Sequence, residues 1–286
     1  MTAVTHPATA HTAPVQSPAP NISPAKAAGR RVEEKLIELE ERIAAFCPPG
    51  MTPGMVRHST MVALGSNAAL LKVDPMSVVM SAIIITQWGL QIGQTAYILP
   101  YGGVATPVAD YKGYIELITA TRLVKNVNAK EIREADVFEY TEGEPIVHRP
   151  HWRDKTGPII GAYCSMPTVA GGYIQEVMNV QEIEAIRAKS FQWSPSKHRE
   201  LPYWYARKTA VRRAAKSAPK SARLQYLVNY EDDAGNASEE AMDLVSSGNL
   251  DALPAGSAPE YAAPATSAPV QNATAGYGVA EEDSVL

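Results

Sequence analysis

The stretch that decides the fold runs from Ile159 to Met178 and reads IIGAYCSMPTVAGGYIQEVM. Its two ends, residues 159–168 and 172–178, are rich in β-branched and aromatic side chains, which is typical of strands. Ala170-Gly171 lies between them and provides a turn, so the stretch predicts an antiparallel hairpin. Cys164, in the middle of the first strand, is expected to be a small buried residue.

Helical signals flank this hairpin. Thr52-Pro53 and Asp74-Pro75 each place a capping side chain before a proline at the first helical position. They predict helices of about 15 residues, the second ending at Gly89. Further helices are predicted over residues 30–46, 110–117, 181–189 and 200–217, and further strands over residues 96–101, 104–108 and 124–134, the first two joined by Gly102-Gly103.

These helices and strands do not alternate as they would in a parallel α/β fold. The expected class is therefore α+β, with an antiparallel sheet and hairpins flanked by helices and with disordered N- and C-terminal tails.

The formal charge of −4 conceals three regions of different charge. Residues 1–50 are balanced, and residues 51–225 carry 21 Lys and Arg against 14 Asp and Glu, a balance of +7. Residues 226–286 carry 11 acidic side chains and no Lys or Arg. Together with composition, this predicts a disordered Pro/Ala-rich segment (1–29), a folded core (30–230) and a flexible acidic tail (231–286).

Composition also excludes several classes of protein. Two cysteines cannot build a disulfide scaffold or a Cys-rich zinc site, and they fit a reducing compartment. The N-terminus does not resemble a signal peptide. The most apolar stretch, residues 78–90, is shorter than the ~20 residues that a membrane span needs. We therefore expect a cytoplasmic protein without membrane contact.

Residues 187–223 hold the strongest functional signal, because they contain 11 basic residues and one acid, Glu200. Lys208, Arg212 and Lys216 recur every fourth residue and so share one helix face. No acid lies four residues away to relieve their repulsion, which favours a polyanionic partner over an ordinary solvated face.

Aromatic residues interleave with these charges. Phe191 and Trp193 lie in a polar loop, where stacking on bases and simple packing are both open. Trp204 shares a helix face with Val211 and Ala215 and is expected to lie in the core.

Signals for covalent chemistry are weak. The sequence has no phosphate-binding G-x-x-x-x-G-K-[ST] loop, no G-x-G-x-x-G after a strand, and no assignable nucleophile–base set. His148 and His151 with the carboxylates of residues 131–139 leave a metal-dependent nuclease as one alternative. Glu131, Glu134, Asp136 and Glu139 are, however, expected on an exposed strand and turn.

An ordered set of motifs within residues 46–226 resembles the RecT family of phage and prophage single-strand DNA annealing proteins, in the wider group of λ Redβ. The motifs that carry the resemblance are Gly89-Leu90, Tyr97-Ile98-Leu99-Pro100-Tyr101-Gly102, Tyr111-Lys112-Gly113, Ile146-Val147-His148-Arg149-Pro150, and Trp204-Tyr205-Ala206-Arg207-Lys208-Thr209-Ala210-Val211-Arg212-Arg213.

The resemblance implies ATP-independent binding and annealing of single-stranded DNA in phage homologous recombination. It implies single-stranded DNA and annealed duplex as ligands, self-association into rings or helical filaments, and as partners a phage exonuclease and host single-strand-binding protein. No enzyme activity, cofactor, ATP site or metal site is expected, so any effect of Mg²⁺ on DNA binding would arise without a site on the protein. A non-annealing nucleic-acid-binding or structural phage protein remains a second alternative.

The residue pattern and the resemblance together select a set of DNA-binding candidates. The candidates are Tyr97, Tyr101, Tyr111, Lys112, Trp193, Lys197, Arg207, Lys208, Arg212, Arg213 and Lys216. The acidic tail has three open roles: competition with DNA for the basic residues, docking of a partner, or solubility alone.

Overall fold

A computed structural model describes residues 23–153, 157–189 and 200–235 of the chain. Eight α-helices lie in these ranges. Their bounds are α1 Pro24–Glu38, α2 Glu40–Phe46, α3 Pro53–Ser66, α4 Pro75–Trp88, α5 Tyr111–Ala120, α6 Val180–Ala188, α7 Tyr203–Ala215 and α8 Ala222–Gly235, with a short 3₁₀ helix at Ala68–Lys72.

Seven strands form antiparallel pairs, so the α+β class is confirmed. The strands are β1 Ala96–Tyr101, β2 Val104–Ala109, β3 Asn128–Arg133, β4 Val137–Glu139, β5 Val147–Arg149, β6 Ile159–Pro167 and β7 Tyr173–Asn179. They make a β1–β2 hairpin, a β4–β5 hairpin and a three-stranded sheet in the order β3-β6-β7.

Helix α4 lies at the centre of the core, because every side chain from Ser77 to Trp88 is buried. Asp74 accepts a hydrogen bond from the Ser77 amide at its start, and Gly89 ends it with a positive φ of 75°. Both ends follow the sequence prediction. A helix that is apolar all round must be covered on all sides, and α1, α2, α3, the β1–β2 hairpin and α8 supply that cover.

The β1–β2 hairpin is fastened to α4 by two serine hydroxyls. The backbone N–H of Ala105 donates to Ser77 Oγ at 2.8 Å, and Ser81 Oγ donates to the Ala105 carbonyl at 2.9 Å. At the tip, Gly102 and Gly103 have φ values of 54° and 87°, which is the two-residue turn expected from the sequence.

The three-stranded sheet is covered on both faces of its central strand, β6. Tyr163 packs against Phe138 and His148 of the β4–β5 hairpin, with ring centroids 5.6 and 5.5 Å away. Residues alternate between the faces of a strand, and the other face packs against α7. Cys164 is fully buried, as predicted.

Two boundaries differ from those expected. The predicted helix over residues 30–46 starts earlier, at Pro24, and is interrupted at Leu39. Ser23 caps this early start by accepting from the Lys26 amide, a signal hidden in a Pro/Ala-rich stretch. At the other end, α8 carries the fold through residue 235, beyond the expected start of the tail. None of the described helices is both long and apolar enough to cross a membrane.

Gly113 supports a testable prediction about packing between α5 and the segment that joins α4 to β1. A Cβ at this position would lie 2.6 Å from the Thr95 carbonyl oxygen and 2.8 Å from Leu90 Cδ1. Gly113→Ala should therefore destabilise the protein by about 2 kcal/mol in urea unfolding.

Gly65, also helical but with nothing within 4 Å of its Cβ position, provides the matched control. Gly65→Ala should stabilise the protein by about 0.5–1 kcal/mol through helix propensity. Equal stability of the two variants would contradict the close approach at Gly113.

Candidate nucleic-acid interface

Helix α7 packs on the three-stranded sheet through a stripe of alanines. Ala206, Ala210 and Ala214 are fully buried and recur every fourth residue. Side chains two positions further along point about 200° away around the helix. The alanine stripe therefore directs Lys208, Arg212 and Lys216 to the face turned away from the sheet.

Two arginines on the flanks tie α7 to the sheet. Arg207 Nε lies 2.5 Å from Glu131 on β3, and its guanidinium stacks 5.1 Å from the Tyr203 ring. Arg213 contacts Glu176 of β7 at 2.7 Å and Glu182 of α6 at 3.0 Å. Both arginines thus hold the helix in position, whatever else they bind.

On the opposite face, the last turn of α8 supplies two carboxylates to α7. Glu231 accepts hydrogen bonds from Arg212 and from the Tyr114 hydroxyl, and Asp232 lies 2.5 Å from Lys216 Nζ. Burial by itself would lower the pKa of Arg212, but the Glu231 carboxylate outweighs it and raises that pKa. Burial and the same carboxylate raise the pKa of Tyr114.

Lys208 differs from these four cations, each of which has a carboxylate partner. In the described part of the chain no carboxylate lies within ion-pairing distance of its ammonium, which sits 5.8 Å from the Tyr205 ring. The side chain is half-buried, and burial followed by the charge of Arg212 lowers its pKa. A half-buried cation beside a second cation favours an anionic ligand.

These side chains line a groove between α5, α7 and α8 with a volume of about 320 Å³. We call it the α7 groove. Its lining comprises Tyr114, Ile186, Tyr205, Lys208, Thr209, Arg212, Arg213, Lys216, Val228, Glu231 and Asp232. Positive charge with aromatic rings in a groove suits a phosphate-bearing chain.

The lining of the α7 groove does not include the other described candidates, which are Tyr97, Tyr101, Tyr111, Lys112 and Arg207. Burial raises the pKa of the Tyr101 hydroxyl, and the charge of Arg212 opposes that rise. The Asp110 carboxylate opposes the lowering of the Lys208 pKa. Tyr111 and Lys112 follow Asp110 directly in the chain, at the start of α5. Tyr97 lies at the other end of β1 and is 39% exposed. Trp193 and Lys197, like Phe191, lie outside the described residues.

The sequence expectation for Trp204 is wrong. This side chain is 50% exposed, whereas Val211 and Ala215 on the same helix face are buried. The elements that cover this face therefore do not extend to the first turn of α7. No acid lies four residues from Arg212 or Lys216 on α7 itself, as the sequence indicated, but both cations meet carboxylates of α8.

The carboxylates that a nuclease would need do not converge. Glu131 pairs with Arg207, and Glu134 and Glu139 are exposed. The Asp136 carboxylate accepts from the amides of Arg133 and His151 and lies 3.1 Å from His148 Nε2. Within the described ranges, no group of three or more His, Cys, Asp or Glu could hold a metal ion. Glu131 and Asp136 are thus more buried than the sequence suggested.

Sequence reasoning missed Tyr114, Glu231 and Asp232 as members of the groove. The change from a stretch without acids (201–230) to Glu231-Asp232-Asp233 is visible in the sequence. That these acids reach the groove depends on the packing of α8 beside α7, which no local sequence pattern predicts.

A cationic groove with aromatic walls, built on a helix that packs against an antiparallel sheet, is typical of proteins that bind the backbone of a nucleic acid. A model of the RecT family matches residues 55–245. The chain belongs to the RecT family, and is therefore a DNA-binding protein of recombination, as the sequence motifs indicated.

Two relatives illustrate the match. The chain is 28% identical to "Protein RecT" of Escherichia coli (strain K12) over 209 residues, covering 68% of this chain and 77% of that protein. It is 38% identical to "Uncharacterized protein YqaK" of Bacillus subtilis (strain 168) over 78 residues, covering 26% of this chain and 28% of that protein.

The Glu131–Arg207 pair predicts a pH dependence of stability. Burial opposes ionisation of Glu131, but its hydrogen bond to Arg207 and the nearby charges keep its pKa below the ordinary value. The folded state therefore binds this proton less tightly than the unfolded state does. The stabilisation is complete above the ordinary glutamate pKa of about 4.3 and is lost as pH falls through the lowered pKa.

Glu131→Gln should therefore be less stable than the parent protein at neutral pH, and this difference should shrink as the pH falls below about 4. Urea midpoints measured across this range test it. Glu134→Gln, an exposed carboxylate at the end of the same strand, should change little at any pH; an equal response of both variants would contradict the ion-pair assignment.

Proposed function

We propose that this protein binds single-stranded DNA along the α7 groove and anneals complementary strands without ATP, acting as an oligomer. One observation carries the proposal: Lys208 faces the groove, half-buried and without a carboxylate partner among the described residues, next to Arg212 and Lys216. A phosphodiester supplies the direct ion-pair partner that Lys208 lacks among the described residues.

The proposed mechanism needs no covalent step. Neutralising phosphates lowers the repulsion between two strands, and backbone contacts leave base edges free to test complementarity. Sequence is then read by base pairing and not by the protein. Duplex formation, at about 1.4 kcal/mol per step, supplies the direction that ATP hydrolysis supplies in other recombination proteins.

The residues divide into three proposed roles. Lys112, Lys208, Arg212 and Lys216 neutralise phosphates, and Arg207 and Arg213 shape the track while anchoring α7. Tyr101 and Tyr111 contact sugars or bases beside the groove, and Tyr97 does so farther along β1. Trp193 and Lys197 remain predicted contacts in residues 190–199.

Oligomerisation would add the contacts of many subunits along one strand, so that weak single-subunit binding becomes tight by avidity. A ring or a helical filament of copies satisfies this requirement. A phage exonuclease, which produces single strands, and the host single-strand-binding protein, which covers them, are the proposed partners.

A fluorescence-quench annealing assay tests the function. Two complementary oligonucleotides, one carrying a fluorophore and one a quencher, should pair faster with the protein than without it, in buffer lacking ATP. Binding without acceleration would favour the non-annealing alternative. Shortened strands after incubation with Mg²⁺ or Mn²⁺ would favour the nuclease.

The phosphate contacts predict a change in salt dependence. Lys208→Ala with Lys216→Ala should weaken binding to single-stranded DNA and flatten the slope of log K against log salt by about one to two units, at roughly 0.7 per contact. The matched control, Lys26→Ala with Arg31→Ala, removes two exposed charges from α1. Its slope should stay close to that of the parent protein. A folded groove variant with an unchanged slope would contradict the site.

A further inference from the structure

The α7 groove already contains negative charge from its own chain. Glu231 occupies the position between the Arg212 guanidinium and the Tyr114 hydroxyl, and Asp232 occupies that of Lys216. A carboxylate held by an arginine and a hydroxyl makes the same charge-assisted hydrogen bonds that a phosphate oxygen would make. The two acids thus stand where the proposed function requires phosphates.

The end of α8 is a poor place for these acids. The sequence there reads Glu231-Asp232-Asp233, and the last turn of the helix contains no basic residue. Negative charges at a helix C-terminus are disfavoured by the helix dipole. The contacts with α7 offset that penalty, so the last turn depends on the cations of the groove.

The beginning of α8 has independent support. Leu224 and Leu227 are fully buried, and the Tyr230 ring packs edge-on against Trp88 of α4 with centroids 5.4 Å apart. The core therefore holds the helix through Tyr230. The turn that follows can open without unfolding the rest of α8.

We propose that Glu231 and Asp232 form a latch, an intramolecular mimic of DNA phosphates that closes the groove and is displaced when single-stranded DNA binds. This inference rests on the proposed function of the α7 groove. Composition suggested that the acidic tail competes with DNA for the basic residues. The latch assigns this competition to two carboxylates inside the fold.

The exchange is balanced in charge. At Arg212 one carboxylate leaves as one phosphate arrives, and the same exchange takes place at Lys216. Each cation therefore keeps one anionic partner, and neither is left unpaired. Lys208 provides the first contact, because its ammonium has no carboxylate to give up. The Lys216 and Asp232 side chains are 56% and 50% exposed, and such exposed pairs are weak enough to be replaced readily.

Charge-removing variants test the latch. Glu231→Gln keeps the shape of the side chain and its ability to accept from Tyr114 and Arg212, and Asp232→Asn does the same at the more exposed pair. Glu34→Gln is the control, because it removes one exposed negative charge from α1, where Glu34 pairs with its neighbour Arg30.

We expect Glu231→Gln to bind oligothymidylate about threefold to tenfold more tightly than the parent protein at low salt, with Asp232→Asn showing a smaller gain. Affinities equal to that of Glu34→Gln, in variants with unchanged circular dichroism, would overturn the latch.

Hydrogen exchange provides a second measurement on the unaltered protein. With oligothymidylate bound, amides of residues 231–235 should exchange faster while those of α7 exchange more slowly. Slower or unchanged exchange in residues 231–235 alongside protection of α7 would overturn the latch and leave DNA binding intact. Absence of both DNA binding and α7 protection would instead refute the proposed function.

Discussion

The burial of α4 is the constraint on which the rest of the structure depends. Its side chains are mostly apolar and are buried around the whole circumference from residue 77 to 88, so no face remains in water. Helices α1, α2 and α3 cover one part, the β1–β2 hairpin another, and α8 a third. Because α8 must cover α4 near Trp88, its last turn is carried to the edge of α7. The position of the groove thus follows from a requirement of the core.

A second packing requirement orients the charges. The alanines of α7 allow the helix to approach the β3-β6-β7 sheet closely, and the basic side chains are left on the other faces. Their final arrangement is set by carboxylates from four different elements: Glu131 on β3, Glu176 on β7, Glu182 on α6 and Glu231 on α8. The cationic surface is therefore an organised network and not a run of freely moving charges.

Local signals predicted much of the fold. Capping residues before Pro53 and Pro75, the left-handed Gly89 and the Gly102-Gly103 turn each act within a few residues, and each is confirmed. The candidate site was predictable only as a stripe of charge. Arguments from positions four residues apart cannot reveal that Arg212 meets Glu231 or that Arg207 meets Glu131, since these pairs form only when distant elements pack. The exposure of Trp204 could not be predicted for a similar reason. Helix periodicity shows which face a residue lies on, but not how far along the helix the neighbouring elements cover that face.

The two serine hydroxyls of α4 have a consequence for how the β1–β2 hairpin behaves as an edge. Ala105 is paired with Pro100 of β1, and a proline has no N–H to donate to the ladder. The N–H and C=O of Ala105 point away from β1, toward α4. On most sheet edges such groups invite another strand, from the same or a second chain. Here Ser77 and Ser81 take the place of that strand, so the hairpin stays two-stranded and closed at this residue. Loss of either hydroxyl would leave a buried backbone group unpaired and would weaken the packing of the hairpin on α4.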